Sequence, residues 1–243
     1  MKKLEINKED LKYNLNVITE KINKNCKDNK NPQIIAVVKA NGMGLDLVQY
    51  SKFLVENDIK ILAVANVEEA IVLRENGIDV EILMLSPVME KESLQILLEK
   101  NITLTVSSLK GLKIIEEIAK EKSIEDINVH LKLDTGFGRY GVVYTNIEEI
   151  LNIFRNCEKV KIKGTYTHFS KTMDKKWTNL QFDRFLETVE KIKRENFNPG
   201  ILHASSSTAF LKYPTMHLDA IRIGSVVQGR TLLCKKEFKK IGV

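Results

Sequence analysis

The chain has 243 residues, 43% of them hydrophobic and 29% charged, which suits one large α/β domain or two small ones. The formal net charge is +6, but lysines alternate with glutamates along helical segments such as 113–122, a pattern typical of solvated helix faces rather than of a nucleic-acid groove. The three cysteines lie far apart and no apolar stretch approaches the roughly 20 residues of a membrane span, so we expect a reduced, cytoplasmic protein with no membrane partner and no bound metal.

Short apolar runs alternate with amphipathic helical patterns along the chain, after a predicted N-terminal helix over 8–22. The helical pattern at 67–77 ends on Gly77, a residue that suits a helix C-terminus. Eight strands in strict alternation with helices favour a closed (β/α)8 barrel of the TIM type, with one extra N-terminal helix, over an open sheet. The predicted strands are 33–39, 61–65, 81–85, 102–106, 128–133, 161–168, 200–204 and 218–224.

The segment 230–243 follows the eighth predicted strand and starts another β-like pattern. We therefore expect residues 1–229 to form the barrel and residues 230–243 to begin a C-terminal β segment. Because the chain stops in the middle of that pattern, we expect either a truncated chain or one domain of a longer product.

Cationic side chains lie at the ends of several predicted strands, where barrel enzymes place their active sites. A single histidine at a strand end is more often a structural, hydrogen-bonded residue than a functional one. Five cations that converge on one barrel mouth, with hardly a carboxylate beside them, predict an anionic ligand instead. The five are Lys39, Arg139, His168, His203 and Arg222.

Small polar residues follow the last two strands, as in barrels that bind phosphate between the loops of strands seven and eight. The run 205–208 reads Ser-Ser-Ser-Thr at the start of a predicted helix, and Gly224-Ser225 follows strand eight. Separately, these residues suit a helix N-cap and a turn. Together, after these two strands, they favour a phosphate site.

Lys132 shares one face of strand five with His130 and Asp134, while apolar residues alternate on the other face. If that face points into the barrel, the buried ammonium requires an acidic partner, neutralisation or covalent modification. If the face is wet near the mouth, Lys132 needs no such explanation.

A lysine amine beside a phosphate site and several cations suits pyridoxal 5′-phosphate. The lysine forms the Schiff base, the helix N-terminus holds the phosphate, and the ring withdraws electrons from an amino-acid α-carbon. Arg222, rather than an acid, is the candidate partner of the ring nitrogen and would keep it unprotonated. A weaker electron sink favours proton exchange over decarboxylation or elimination.

Several motifs resemble, in the expected order over about residues 4–229, the barrel domain of the alanine racemases, which are fold-type III pyridoxal-phosphate enzymes. The cofactor-lysine motif of that family is similar to AVVKANGMG, and its strand-five motif is similar to NVHLKLDTGFGRYGV. The remaining matching motifs are GTYTHFS, LHASSS and LDAIRIGS.

The resemblance implies a role for each matching residue. Lys39 would be the Schiff-base lysine and the base for one α-proton, and Arg139 would approach the phenolic oxygen of the cofactor. Lys132 matches a lysine that is carbamylated in some members. The remaining residues would form a hydrogen-bonded chain behind the ring nitrogen (His168, His203 and Arg222) and the phosphate site (Ser207, Gly224 and Ser225).

This sequence also departs from the family pattern. The family tyrosine that usually contacts the phosphate is Met43 here, so one hydrogen bond is missing. The usual asparagine before the phosphate serine is Ser206, and a common tyrosine is Gln228. The second catalytic base of the family is a tyrosine from the C-terminal β-domain of the partner subunit in a head-to-tail dimer. Racemisation needs a base on each face of the α-carbon, and the chain presents one.

Three functions are therefore compatible with the sequence. The first is the barrel domain of an amino-acid racemase, acting on alanine or another small amino acid, homodimeric at full length and weakly active or inactive alone. The second is a stand-alone pyridoxal-phosphate barrel with a homeostatic or carrier role, which the length supports but the lysine motif does not. The third is a Schiff-base aldolase that uses Lys39 on a sugar phosphate, against which the position of the lysine and the absence of a proton-relay acid argue.

Overall fold

Eight parallel strands run around a nearly closed barrel in a computed structural model that describes residues 5–24, 31–231 and 233–242. The strands follow one another in the order β3-β2-β1-β9-β8-β7-β5-β4. Hydrogen bonds from Met84 N–H to the Thr103 carbonyl (2.9 Å) and from Thr103 N–H to the Ile82 carbonyl (3.0 Å) join the two end strands. The predicted (β/α)8 barrel is confirmed. Its strands are β1 (Gln33–Val37), β2 (Ile61–Val64), β3 (Glu81–Met84), β4 (Leu104–Val106), β5 (Ile127–Asp134), β7 (Val160–Tyr166), β8 (Ile201–His203) and β9 (Ala220–Ile223), and a short β6 (Val142–Val143) pairs in parallel with the end of β5.

Helices surround the strands, and the predicted extra N-terminal helix is present as α1. Leu11, Leu15, Ile18 and Ile22 form its buried stripe, at the spacing of one helix face. Asn14 of the same helix donates to the carbonyl of Val227 (3.1 Å). The helices are α1 (Lys8–Lys24), α2 (Lys39–Met43), α3 (Leu47–Glu56), α4 (Val67–Glu75), α5 (Lys91–Glu99), α6 (Leu109–Lys122), α7 (Ile147–Phe154), α8 (Lys175–Arg194), α9 (Ser207–Lys212) and α10 (Lys235–Ile241), with 3₁₀ turns at Tyr144–Asn146 and Pro214–Met216.

Alternation along β5 separates the apolar core from a polar barrel interior. Val129, Leu131 and Leu133 belong to the main apolar cluster between the sheet and the helices. His130 and Lys132 are buried on the other face, His130 against the interior His203. Lys132 is 2% exposed, so the alternative of a wet strand face is wrong. Its buried amine therefore needs an acidic partner, neutralisation or covalent modification.

Two features differ from the sequence expectations. Strand β6 is two residues long and was not among the predicted strands. Within 230–243, where a β segment was expected to begin, the structure has helix α10 instead, so that expectation is wrong for Lys235–Ile241. The helix is typical of its sequence, since lysines and one glutamate flank the partly buried Phe238 and Ile241, which pack against the core. The division of the chain at residue 229 stays a prediction.

Candidate functional site

Lys39 opens a left-handed turn directly after β1. Ala40 (φ 56°, ψ 56°), Asn41 (φ 53°, ψ 56°) and Gly42 (φ 64°, ψ 31°) all occupy the left-handed region. That region costs an L-residue roughly 1–2 kcal/mol, so the turn depends on its surroundings. At its far end, Gln228 donates to the Gly42 carbonyl (3.0 Å). The turn therefore brings the exposed Lys39 to the barrel mouth through a strained backbone fixed by contacts from other elements.

The mouth encloses a cavity of about 360 Å³ at the carboxyl ends of the strands. Of the nine predicted site residues, only His203 is not part of its wall. Tyr140 and Tyr166 also line the cavity and were not predicted, although Tyr166 lies two residues before His168. Thr208, the last residue of the predicted phosphate run 205–208, lines it as well. The predicted residues that line it are Lys39, Lys132, Arg139, His168, Ser207, Arg222, Gly224 and Ser225.

Arg222 is the buried cation at the floor of this cavity, with 4% of its surface exposed. Its guanidinium donates to the carbonyls of Thr167 (2.6 Å) and Ala204 (3.2 Å), and to the His203 carbonyl (2.9 Å). Burial lowers the pKa of Arg222 to about 10, which leaves it charged at neutral pH. Neutral acceptors thus hold a full positive charge directly below the mouth.

Two histidines continue from Arg222 into the barrel. Nη1 of Arg222 lies 2.7 Å from Nδ1 of His203, and Nε2 of His203 lies 2.8 Å from Nδ1 of His130. The ring of Tyr166 stacks on His203 at 4.7 Å. Burial, and then the charge of Arg222, lowers the pKa of His203 well below its ordinary value. His203 therefore supports Arg222 from beneath and does not itself reach the cavity.

Lys132 lies at the cavity wall, and the groups that it contacts directly, a carbonyl and two aromatic rings, carry no negative charge, while the nearby Asp134 carboxylate favours its charged form. Its ammonium donates to the Leu133 carbonyl (2.7 Å) and lies 5.7 Å and 5.6 Å from the ring centres of Tyr140 and Tyr166. Burial first, and then Arg222, lowers the pKa of Lys132 to about 7. A substantial neutral fraction at physiological pH follows, so neutralisation is the answer that the geometry favours for the unmodified amine.

Gly224 is closely packed where the phosphate site was predicted. A Cβ on Gly224 would lie 2.5 Å from Sδ of Met43 and 3.0 Å from the Val37 carbonyl oxygen. The Gly224 N–H donates to Oγ of Ser207 (3.2 Å). Ser205, by contrast, is buried and donates to the Met216 carbonyl (2.7 Å), so it has a structural role.

Arg139 extends into the mouth from the glycine-rich loop that follows β5. Its guanidinium lies 4.5 Å and 4.8 Å from the ring centres of Phe137 and Tyr140, and the residue is exposed. Asp134 shapes this loop by accepting the N–H groups of Gly136 (2.9 Å) and Phe137 (2.8 Å). Its carboxylate is therefore engaged with the backbone of the loop, and Arg139 is the charge that the loop presents.

The fold and the site together define a (β/α)8 barrel whose mouth combines a strand-end lysine, a buried arginine and a serine–glycine cradle. Residues 6–231 match the family described as alanine racemase, N-terminal domain, and the chain belongs to that family.

Comparisons with individual proteins agree with this membership. The chain is 38% identical over 205 residues to the alanine racemase of Methanococcus maripaludis, an alignment that covers 83% of this chain and 54% of that protein. It is 35% identical over 230 residues to the alanine racemase of Clostridium tetani, with 93% and 57% covered. The solved structure of an alanine racemase from Clostridium difficile 630 matches with a TM-score of 0.86 at 30% identity, over 96% of this chain and 59% of that one. The chain thus spans little more than half the length of these relatives. None of the helices in its described part is long and apolar enough to cross a membrane.

Proposed function

We propose that this chain is the cofactor-binding barrel of a pyridoxal-5′-phosphate-dependent racemase that acts on alanine or another small amino acid. The observation that carries the proposal is the convergence of Lys39, Arg222 and Ser207 on one cavity. The names of the relatives support alanine as the substrate. An aldolase on a sugar phosphate has no comparable support.

The residues at the mouth fit this cofactor. A cavity of about 360 Å³ is within the usual size of small-ligand pockets. Gly224 lines the cavity together with Ser207 and Ser225, and as a glycine it adds no side chain to that wall. These three residues would hold the phosphate, Arg139 would face the phenolic oxygen and Arg222 the ring nitrogen.

The chemistry divides between the cofactor and the chain. When bound, the cofactor supplies an electron-withdrawing ring that stabilises negative charge on the α-carbon of the amino acid. Lys39 would attach the cofactor covalently and then, as a free amine, remove or return the α-proton on one face. Because Arg222 stays protonated, it would face the ring nitrogen as a hydrogen-bond donor and would keep its own proton.

The opposite face of the α-carbon needs a second base. By resemblance, this base is a tyrosine from the C-terminal β-domain of a partner subunit, so we propose a homodimer for the full-length protein. The 243-residue chain alone should therefore racemise alanine very slowly, even when it is loaded with cofactor. The alternative, a cofactor carrier, would bind the same ligand but gain no racemase activity when a C-terminal domain from a relative is supplied.

Reductive trapping tests the covalent role of Lys39. The purified chain should gain a near-visible absorbance band with pyridoxal phosphate, and borohydride should fix the cofactor to the peptide that contains Lys39. Lys39→Ala should abolish the band, whereas Lys113→Ala, which removes an exposed lysine on α6, should keep it. A normal band in Lys39→Ala would refute the proposal.

A further inference from the structure

A buried carboxylate lies beneath the turn that carries Lys39. Glu69, in the first turn of α4, is 8% exposed and lies 29 residues beyond Ala40 in the sequence. Its Oε1 accepts the N–H of Ala40 (2.6 Å) and the N–H of Asn41 (3.3 Å). Its Oε2 accepts the N–H of Ala65, just after β2 (3.2 Å). One side chain thus joins the lysine turn to the neighbouring strand of the barrel.

The left-handed turn requires an acceptor at this place. Its internal hydrogen bonds start with the Gly42 N–H, which donates to the Val38 carbonyl (2.9 Å). The two preceding N–H groups, those of Ala40 and Asn41, are the donors that such a turn cannot satisfy by itself. A carboxylate is the strongest acceptor that a protein offers to backbone N–H groups. Glu69 therefore offsets part of the strain of a backbone that L-residues rarely adopt.

The contact acts on Lys39 through the peptide bond that follows it. The shortest hydrogen bond of Glu69 goes to the N–H of Ala40, which belongs to the peptide plane between Lys39 and Ala40. Because that plane is fixed, the backbone of Lys39 is fixed, and with it the direction in which the lysine side chain leaves the barrel wall. The hydrogen bond from the Ala65 N–H ties Glu69, and with it the turn, to the end of β2, which pairs with β1.

We infer that Glu69 is a positioning residue that aims Lys39 at the cavity by accepting the first two N–H groups of the left-handed turn. The inference rests on the proposed function, since it gives Lys39 the covalent role. Glu69 contacts the backbone of the turn, and its action on the cofactor site is indirect.

The test compares Glu69→Gln with Glu68→Gln. The glutamine at position 69 keeps one oxygen but turns an NH₂ donor toward a backbone donor, whereas Glu68 is exposed on the same helical turn and loses the same charge. Amide hydrogen exchange of the full chain without cofactor is measured by NMR. The amides of Ala40 and Asn41 should exchange roughly tenfold or more faster in Glu69→Gln, as expected when a hydrogen bond to a charged group is lost, and Glu68→Gln should match the unmodified chain.

The second readout is how the borohydride-trapped labelling of Lys39 depends on the pyridoxal phosphate concentration. Glu69→Gln should raise the pyridoxal phosphate concentration for half-maximal labelling of this peptide by about tenfold, and Glu68→Gln should not. Unchanged exchange in Glu69→Gln, or faster exchange with unchanged labelling, overturns the inference. If the unmodified chain is never labelled at Lys39, the proposed function fails, and with it the positioning role. If Glu69→Gln does not fold, the pair is repeated in an Ala40→Gly background, since glycine adopts the left-handed region freely.

Discussion

The Nδ1 atom of His130 lies 2.8 Å from the Nε2 atom of His203, and both imidazoles are fully buried. The direction of this hydrogen bond follows from Arg222, because a guanidinium can only donate. His203 accepts at Nδ1 from Arg222, so a neutral His203 carries its proton on Nε2 and donates to His130. His130 then carries its proton on Nε2, which lies 3.7 Å from Glu81. In this hydrogen-bonded series, Arg222, His203 and His130 therefore each direct a donor away from the mouth.

Acid should destabilise the fold through His130. Burial first, and then Lys163 and Arg222, lowers the pKa of His130 to about 3. The carboxylate of Glu81 lies 3.7 Å from Nε2 of His130, but it is already paired with Lys163 (2.6 Å), so burial dominates. The unfolded chain binds a proton at a pKa of roughly 6.5 and the folded chain does not. The free energy of unfolding should therefore fall by about 1.4 kcal/mol per pH unit for this group as pH drops below roughly 6.5, until about pH 3.

Denaturant unfolding between about pH 5.5 and pH 4 measures this slope. His130→Gln should unfold more easily at every pH, because it disturbs a packed interior, but its slope should be smaller by one proton. The slope, rather than the offset, tests the titration. Equal slopes for His130→Gln and the unmodified chain would show that His130 keeps no depressed pKa.

Gly164→Ala should be strongly destabilising. A Cβ at this position would lie 2.6 Å from Cε1 and 2.8 Å from Nε2 of His130, whose ring is fully buried and held by His203. Overpacking of this kind typically costs about 1–3 kcal/mol. Gly111→Ala is the matched control, since its Cβ would meet only side-chain ends, 3.3 Å from Oγ of Ser108 and 3.4 Å from Sδ of Met89. Thermal unfolding should separate the two variants, and an equal melting temperature would contradict the rigid packing of His130.

Strand periodicity predicted much of this interior. Two-residue alternation placed His130 and Lys132 on the polar face of β5, and the carboxyl-end rule gathered Lys39, Arg222 and Ser207 at one mouth. Such patterns are local, so a single strand displays them. Alternation left two possibilities for Lys132, a buried amine or a wet strand face, and its 2% exposure decides for the buried amine.

Other features depend on contacts between distant segments. The left-handed turn after Lys39 contains Ala40 and Asn41, whose residue types do not by themselves indicate a run of positive φ angles. Its acceptor, Glu69, looks in sequence like any acidic residue in the first turn of a helix. The link between Glu81 and His130 likewise joins two strands that are not neighbours in the sheet. These relationships appear only once the barrel closes.

Lys132 should react with carbon dioxide. Because its pKa is lowered to about 7, a large fraction of the amine is neutral and nucleophilic at physiological pH. The carbamate would be an anion near the positive charges of Arg222 and Arg139, which are the cations that lower this pKa. Carbon NMR with isotopically labelled bicarbonate should show a carbamate signal that Lys132→Met removes and Lys113→Met retains. If both variants keep the signal, the carbamate lies on a residue other than Lys132.

If Lys132 is unmodified, the titration of its amine should appear in the pH dependence of the free energy of unfolding. The unfolded chain binds this proton up to a pKa of roughly 10.4 and the folded chain only up to about 7, so stability should rise with pH between these values. Lys132→Met should remove that rise. A flat stability profile together with no carbamate signal would contradict the depressed pKa.

Met43→Tyr should tighten the binding of pyridoxal phosphate. Met43 lines the cavity and its Sδ lies against Gly224, at the end of the mouth where the phosphate is expected. Members of the family usually have a phosphate-contacting tyrosine at this position. Met43 already adopts a positive φ of 55°, so replacing one L-residue by another adds no new backbone strain. A hydrogen bond to a charged group contributes about 1.5–3 kcal/mol, so the dissociation constant should fall by roughly tenfold or more. Met43→Phe supplies the same ring without the hydroxyl and should bind no more tightly than the unmodified chain. Absorbance titration of the three proteins decides the matter, because an equal gain from phenylalanine would assign the effect to packing and no gain from tyrosine would move the phosphate away from residue 43.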